Sequence, residues 1–139
     1  VSKQRVRARR CALQALYQWQ LAGQQPAYIL REFVAERELV NVDLEYFSRL
    51  TLEIPKVIDE LETQLKQVLD RPLDELNPVE RAILWLGTYE LIYAPEIPYR
   101  VVINEAVELA KMFGAEQAHR YINANLDQLA KTLRAVEMS

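Results

Sequence analysis

Between Asp43 and Val68 the apolar residues Leu44, Phe47, Leu50, Ile54, Val57, Leu61, Leu65 and Val68 recur every three or four positions. A helix repeats every ~3.6 residues, so this spacing gathers them on one face; a strand would need alternation at every residue. The same spacing fills nearly the whole chain and constrains its fold more than any other feature. Glycine interrupts it only at Gly23, Gly87 and Gly114. Val101-Val102-Ile103 is β-prone, but it lies inside a better helical pattern.

The punctuation between these stretches divides the chain. A first helix is expected from Lys3 or Arg5 to Ala22, with Ala12, Leu16 and Trp19 inward and Leu13, Tyr17 and Leu21 beside them. Gly23-Gln24-Gln25-Pro26 reads as a stop and a restart. A second helix over 27–38 is expected to bury Leu30, Phe33 and Val34. Pro55 interrupts the long run; it lacks a backbone donor and crowds the preceding turn, which predicts a kink or two abutting helices. Asn77-Pro78-Val79-Glu80 is a helix start: Asn77 caps, Pro78 suits the first position, and Glu80 can reach back to the cap's backbone. The helix that follows is apolar on most sides and should be central. Further helices are expected over 99–113, ended by Gly114, and over 116–136. The reading is an all-α bundle of six or seven helices with short connections. It forms one domain over 1–139, with a basic arm over 1–10.

Charge is unevenly placed. The chain carries 17 basic and 20 acidic residues, a net −3. Lys3, Arg5, Arg7, Arg9 and Arg10 fall within the first ten positions, and the first acid is Glu32; without those five, 12 basic residues face 20 acidic ones, a net −8. A basic arm on an acidic body suits a polyanionic partner, and a solvated, frayed terminus would look the same. No apolar run approaches the ~18 residues of a membrane span, and no signal-peptide pattern follows the basic start. Cys11 is the only cysteine, which fits a reducing compartment; the expected location is cytoplasmic.

Catalytic constellations are missing. One cysteine and one histidine cannot build a Cys/His zinc site, and the pair Glu116 and His119 is one of the two such pairs, with two further glutamates, that a di-iron set needs. Ser48 lies mid-helix beside core-facing Phe47, and Cys11 sits in a small-residue segment that suits packing. No glycine-rich phosphate loop occurs. No catalytic residue, metal, cofactor or small-molecule substrate is therefore expected.

Nucleic acid is better supported. Lys3, Arg7, Arg10 and Gln14 step by four, three and four, which makes one helical stripe, with Arg5 and Arg9 in the neighbouring row. Arginine grips phosphate with two parallel donors and stacks on unpaired bases. Lys111, His119, Arg120 and Tyr121 form a second cluster around Gly114. There Tyr121 offers a stacking face and Arg120 a phosphate contact, although a half-buried core tyrosine would show the same spacing.

These segments carry a resemblance. Arg9-Arg10-Cys11-Ala12-Leu13-Gln14-Ala15-Leu16-Tyr17 looks like the first helix of the NusB family of bacterial antitermination factors. Val79-Glu80-Arg81-Ala82-Ile83-Leu84 with Tyr89-Glu90-Leu91 resembles that family's central helix. The stretch from Ile97 to Lys111, closed by Phe113-Gly114, is similar to the family signature nearly residue for residue. Where the family usually has Phe-Val-Asn-Gly-Val-Leu, this chain has Tyr121-Ile122-Asn123-Ala124-Asn125-Leu126.

The resemblance implies two packed helical sub-bundles and no enzymatic activity. It implies binding to the single-stranded boxA element of nascent ribosomal RNA together with the ribosomal protein NusE, helping RNA polymerase read through terminators. By position, Arg5, Arg7, Arg9 and Arg10 should hold RNA phosphates, with Lys3 of the same stripe as a further candidate from spacing, and Lys111, Gln117, Arg120 and Tyr121 should lie near the RNA path. Tyr17 and Glu80 should face NusE. Two other readings stay open. NusB-like domains also lead certain ribosomal RNA methyltransferases, which need a separate Rossmann-type domain absent from this sequence. The third reading is a helical protein–protein adaptor whose basic arm is incidental.

Overall fold

A computed structural model of the chain describes residues 2–139; Val1, the first residue of the expected arm, lies outside them. Among the described residues all regular structure is helical, and it falls into two compact units, residues 1–57 and 58–139.

The first unit holds α1 (Lys3–Ala22), α2 (Pro26–Glu36) and α3 (Leu44–Lys56), each packed on the other two. Ser2 caps α1, its hydroxyl accepting from the Arg5 N–H, so the arm is helical from Lys3. Gly23 ends α1 in the left-handed region at φ 68°, where a side chain would be strained. Ala8, Ala12, Leu13, Ala15 and Leu16 are buried, while Leu21 is exposed and Trp19 is half-buried. In α2 the inward residues are Ile29 and Phe33, not Leu30 and Val34 as expected. All four are apolar, so the sequence allowed either face; Phe33, inward in both, packs on Phe47 with ring centroids 5.1 Å apart. Asp43 caps α3 through the Tyr46 N–H at 3.0 Å.

The expected long third helix is two helices. Pro55 sits in the last turn of α3, and Val57 leaves helical geometry with its N–H bonded to the Ile54 carbonyl. The second unit begins there with α4 (Ile58–Lys66), followed by a 3-10 turn (Leu73–Glu75), α5 (Pro78–Tyr93), α6 (Tyr99–Phe113), α7 (Ala118–Leu133) and α8 (Ala135–Met138). The break at Val57 is the one Pro55 predicts; a further break at Arg134, which the apolar spacing did not suggest, gives eight α-helices among the described residues.

Helix α5 is central, lying against α4, α6 and α7, with Ala82 through Leu91 all buried. Asn77 caps it through the Glu80 N–H at 2.9 Å. The Glu80 carboxylate returns to the Asn77 side-chain amide at 2.6 Å, not to the cap's backbone. Gly87 admits Leu126 of α7, whose Cδ1 would lie 2.6 Å from any Cβ there. Gly114 ends α6 without left-handed geometry, at φ −85°. A Cβ at that position would stand 2.7 Å from the Ala110 carbonyl oxygen, so glycine is required by space.

Candidate nucleic-acid interface

Only part of the basic arm faces solvent. Lys3 is exposed, and Arg7, Arg10 and Gln14, on the same stripe of α1, are half-buried. Arg7 donates to the Asn41 carbonyl at 3.3 Å. The neighbouring row turns onto α3. The Arg5 guanidinium lies 4.1 Å from the centre of the Tyr46 ring and 3.6 Å from the Asp43 carboxylate. Arg9 is only 3% exposed and stands 5.5 Å from the same ring. A guanidinium against an aromatic face is held by the ring's electron-rich centre, more strongly where water is excluded. The arm therefore splits: Lys3 is exposed, Arg5, Arg7 and Arg10 are half-buried at the surface, and Arg9 is buried and braces α1 against α3.

One cation joins this face that spacing missed. Arg37, just past α2, lies 3.9 Å over the Phe33 ring and donates to Gln14 Oε1. It is 23 residues from Gln14, so no helical periodicity linked them. Cys11 lies below; burial pushes its thiol up in pKa, while Arg37 pulls the other way. A thiol so shifted is a poor nucleophile.

The second expected cluster lies in the other unit. Lys111 lies in the last turn of α6, exposed and 3.7 Å from Glu108. Gln117 is exposed at the start of α7, in the left-handed region at φ 71°, and Arg120 is exposed one turn later. Tyr121 is half-buried, the second of the two readings its spacing allowed, and the Arg71 guanidinium covers its ring at 4.5 Å. Its hydroxyl donates to Asp70 Oδ1 at 3.3 Å, and Arg71 Nε donates to the same oxygen at 3.0 Å. Asn125, polar where the family pattern is apolar, is buried and donates to the Tyr121 carbonyl at 2.9 Å, so it is satisfied within its own helix. Ala124 is exposed.

Of the two residues expected to face a protein partner, Tyr17 on α1 is 39% exposed, and Glu80 on α5 is half-buried in its capping contact. Among the described residues no three His, Cys, Asp or Glu side chains gather as a metal site would require, and no helix is long and apolar enough to cross a membrane.

Fold and surface together define a class: a small all-helical protein whose clustered side chains suit gripping a polyanion. The sequence model of the NusB family matches residues 6–131, and the chain belongs to that family. It is 50% identical to the transcription antitermination protein NusB of Nitrosococcus oceani over 99% of this chain and 92% of that one. It is likewise 50% identical to the protein of the same name from Shewanella amazonensis, over 91% and 94%. A crystal structure of antitermination factors NusB and NusE in complex with double-stranded RNA superimposes with a TM-score of 0.85, at 31% identity over 94% of this chain and 98% of that one.

Proposed function

We propose that this chain is a transcription antitermination factor that binds the boxA element of nascent ribosomal RNA together with ribosomal protein NusE, and so joins the RNA polymerase antitermination complex. The role is binding, not catalysis. The observation that carries it is the row Lys3, Arg7 and Arg10, exposed or half-buried along one stripe of α1, on a chain that is otherwise net negative. Such a row attracts phosphate where the net-negative remainder of the chain repels it, and so it fixes where a polyanion docks. Family membership and the RNA- and NusE-bound neighbour support the same reading. Coverage of 92–94% of the antitermination relatives favours it over a methyltransferase fragment.

In this reading Lys3, Arg7 and Arg10 hold phosphates, Arg5 does so in part, and Arg9 supports them from inside. Lys111, Gln117, Arg120 and Tyr121 line the RNA path in the second unit, and Tyr17 and Glu80 meet NusE. The site of action is the cytoplasm, where nascent RNA and ribosomal proteins coexist.

The test is fluorescence anisotropy with a boxA-like single strand, a scrambled strand and a duplex, each with and without NusE. NusE should sharpen the preference for boxA, and log affinity should fall with log salt at a slope of about −2 to −3, from ~0.7 per phosphate contact on a single strand. A slope near zero, or equal binding of all three RNAs with NusE present, would leave a helical protein–protein adaptor as the better description.

A further inference from the structure

Two donors from different elements converge on one oxygen in the second unit. Tyr121 O–H comes from α7 and Arg71 Nε–H from the link after α4, and both point at Asp70 Oδ1, at 3.3 and 3.0 Å. A hydroxyl and a guanidinium aimed at a single anionic oxygen, with the guanidinium held in place over an aromatic ring, also suit a phosphodiester oxygen. The present occupant is weakly held. The Asp70 side chain is 71% exposed and that of Arg71 47%, and ion pairs so open to water contribute little. Arg71 holds the Asp70 carboxyl below the ordinary carboxylate range, so it stays charged, as a phosphate does.

We propose that Arg71 and the Tyr121 hydroxyl form a phosphodiester-binding subsite that Asp70 fills in the free protein and that RNA takes over by displacing Asp70. This rests on the RNA-binding reading above and deepens it. The tyrosine here contributes through its hydroxyl, which the phenylalanine usual in the family lacks, and not through an open stacking face. Asp70 acts as an internal competitor that keeps Arg71 aligned until RNA arrives.

The test is anisotropy with the boxA-like strand, with NusE present, on four single variants and one double. Asp70→Ala removes the competitor and should tighten binding about two- to fivefold, the range of an exposed ion pair. Arg71→Ala should weaken it about three- to tenfold and reduce the salt slope by about 0.7. Tyr121→Phe keeps the ring and should weaken binding about two- to tenfold. The Asp70→Ala gain should vanish in the Arg71→Ala background. Asp74→Ala is the control for net charge, since Asp74 is exposed and lines the same cleft as Asp70 and Arg71. Equal tightening by Asp74→Ala, or unchanged affinity in Arg71→Ala and Tyr121→Phe, overturns the subsite while leaving the RNA-binding reading intact. Failure of the unaltered protein to bind RNA even with NusE overturns both.

Discussion

Arg134 donates from Nε to the carbonyl of Leu91 at 2.8 Å, across 43 residues of sequence. Its other two nitrogens reach the carbonyls of Glu90, Ala94 and Ile97 at 2.9–3.1 Å, and Glu137. The last carbonyls of a helix have no partner within it and carry the negative end of its dipole. Arg134, 6% exposed, supplies both the missing donors and the positive charge to the end of α5. Arg134→Ala should lower unfolding free energy by about 3–5 kcal/mol, because the carbonyls of Leu91 and Ile97 lose the guanidinium while those of Glu90 and Ala94 keep only the N–H groups of Ala94 and Ile97. Urea unfolding followed by circular dichroism measures this, and Arg134→Lys should recover only part, since one ammonium cannot span four carbonyls.

Glu137 links the same corner to α6. Its carboxylate accepts the Tyr99 N–H at 2.8 Å, which is the main reason its pKa lies below the ordinary value of 4.5, with Arg134 adding to the effect. A carboxyl with a depressed folded-state pKa stabilises the fold above its unfolded pKa, and this contribution is lost as pH falls through the lower folded value. The stability advantage of the unaltered protein over Glu137→Gln should therefore be full near neutrality and shrink progressively below about pH 4.5. Urea midpoints of both proteins between neutral pH and about pH 3 test this; a gap independent of pH would mean that the charge of Glu137 is irrelevant.

Gly114→Ala should destabilise by about 1–3 kcal/mol, the usual cost of forcing atoms into filled space. The contact at 2.7 Å is with backbone, the Ala110 carbonyl oxygen, which cannot rotate away. Thermal unfolding should show a fall of several degrees. An unchanged midpoint would show that the turn after α6 shifts freely.

The arm should separate into two kinds of residue. Lys3→Ala and Arg10→Ala should change stability by no more than about 0.5 kcal/mol, as surface substitutions do. Each should flatten the salt dependence of RNA binding by about 0.7 in slope if it meets a phosphate. Arg9→Ala should instead cost about 1–3 kcal/mol in stability, because it removes a buried side chain packed against Tyr46. Unfolding curves and salt titrations on the three variants distinguish these outcomes.

Helix boundaries were legible where local chemistry decides them. The bounds of α6, the Asn77 cap, the stop at Gly23 and the break after Pro55 each depend on a few adjacent residues, and the structure agrees with them. The facing of α2 was not legible, because Leu30 and Val34 are as apolar as Ile29 and only packing against α1 and α3 distinguishes them. In the candidate site, the row Lys3, Arg7 and Arg10 followed from spacing alone. The burial of Arg9 did not, since its aromatic neighbour lies on another helix.

The sequence by itself determined that the chain is helical, where most helices start and stop, which family it belongs to and that its positive charge is concentrated in α1, because periodicity, caps and composition act over a few residues. Tertiary structure alone decided which cations face water and which are used internally. It brought Arg37 to Gln14, Arg71 to Tyr121 and Arg134 to the end of α5. The physical reason is common to all three. A long arginine side chain takes its role from whatever carbonyl, carboxylate or ring the packing brings within its reach, and those partners lie 23 to 50 residues away along the chain.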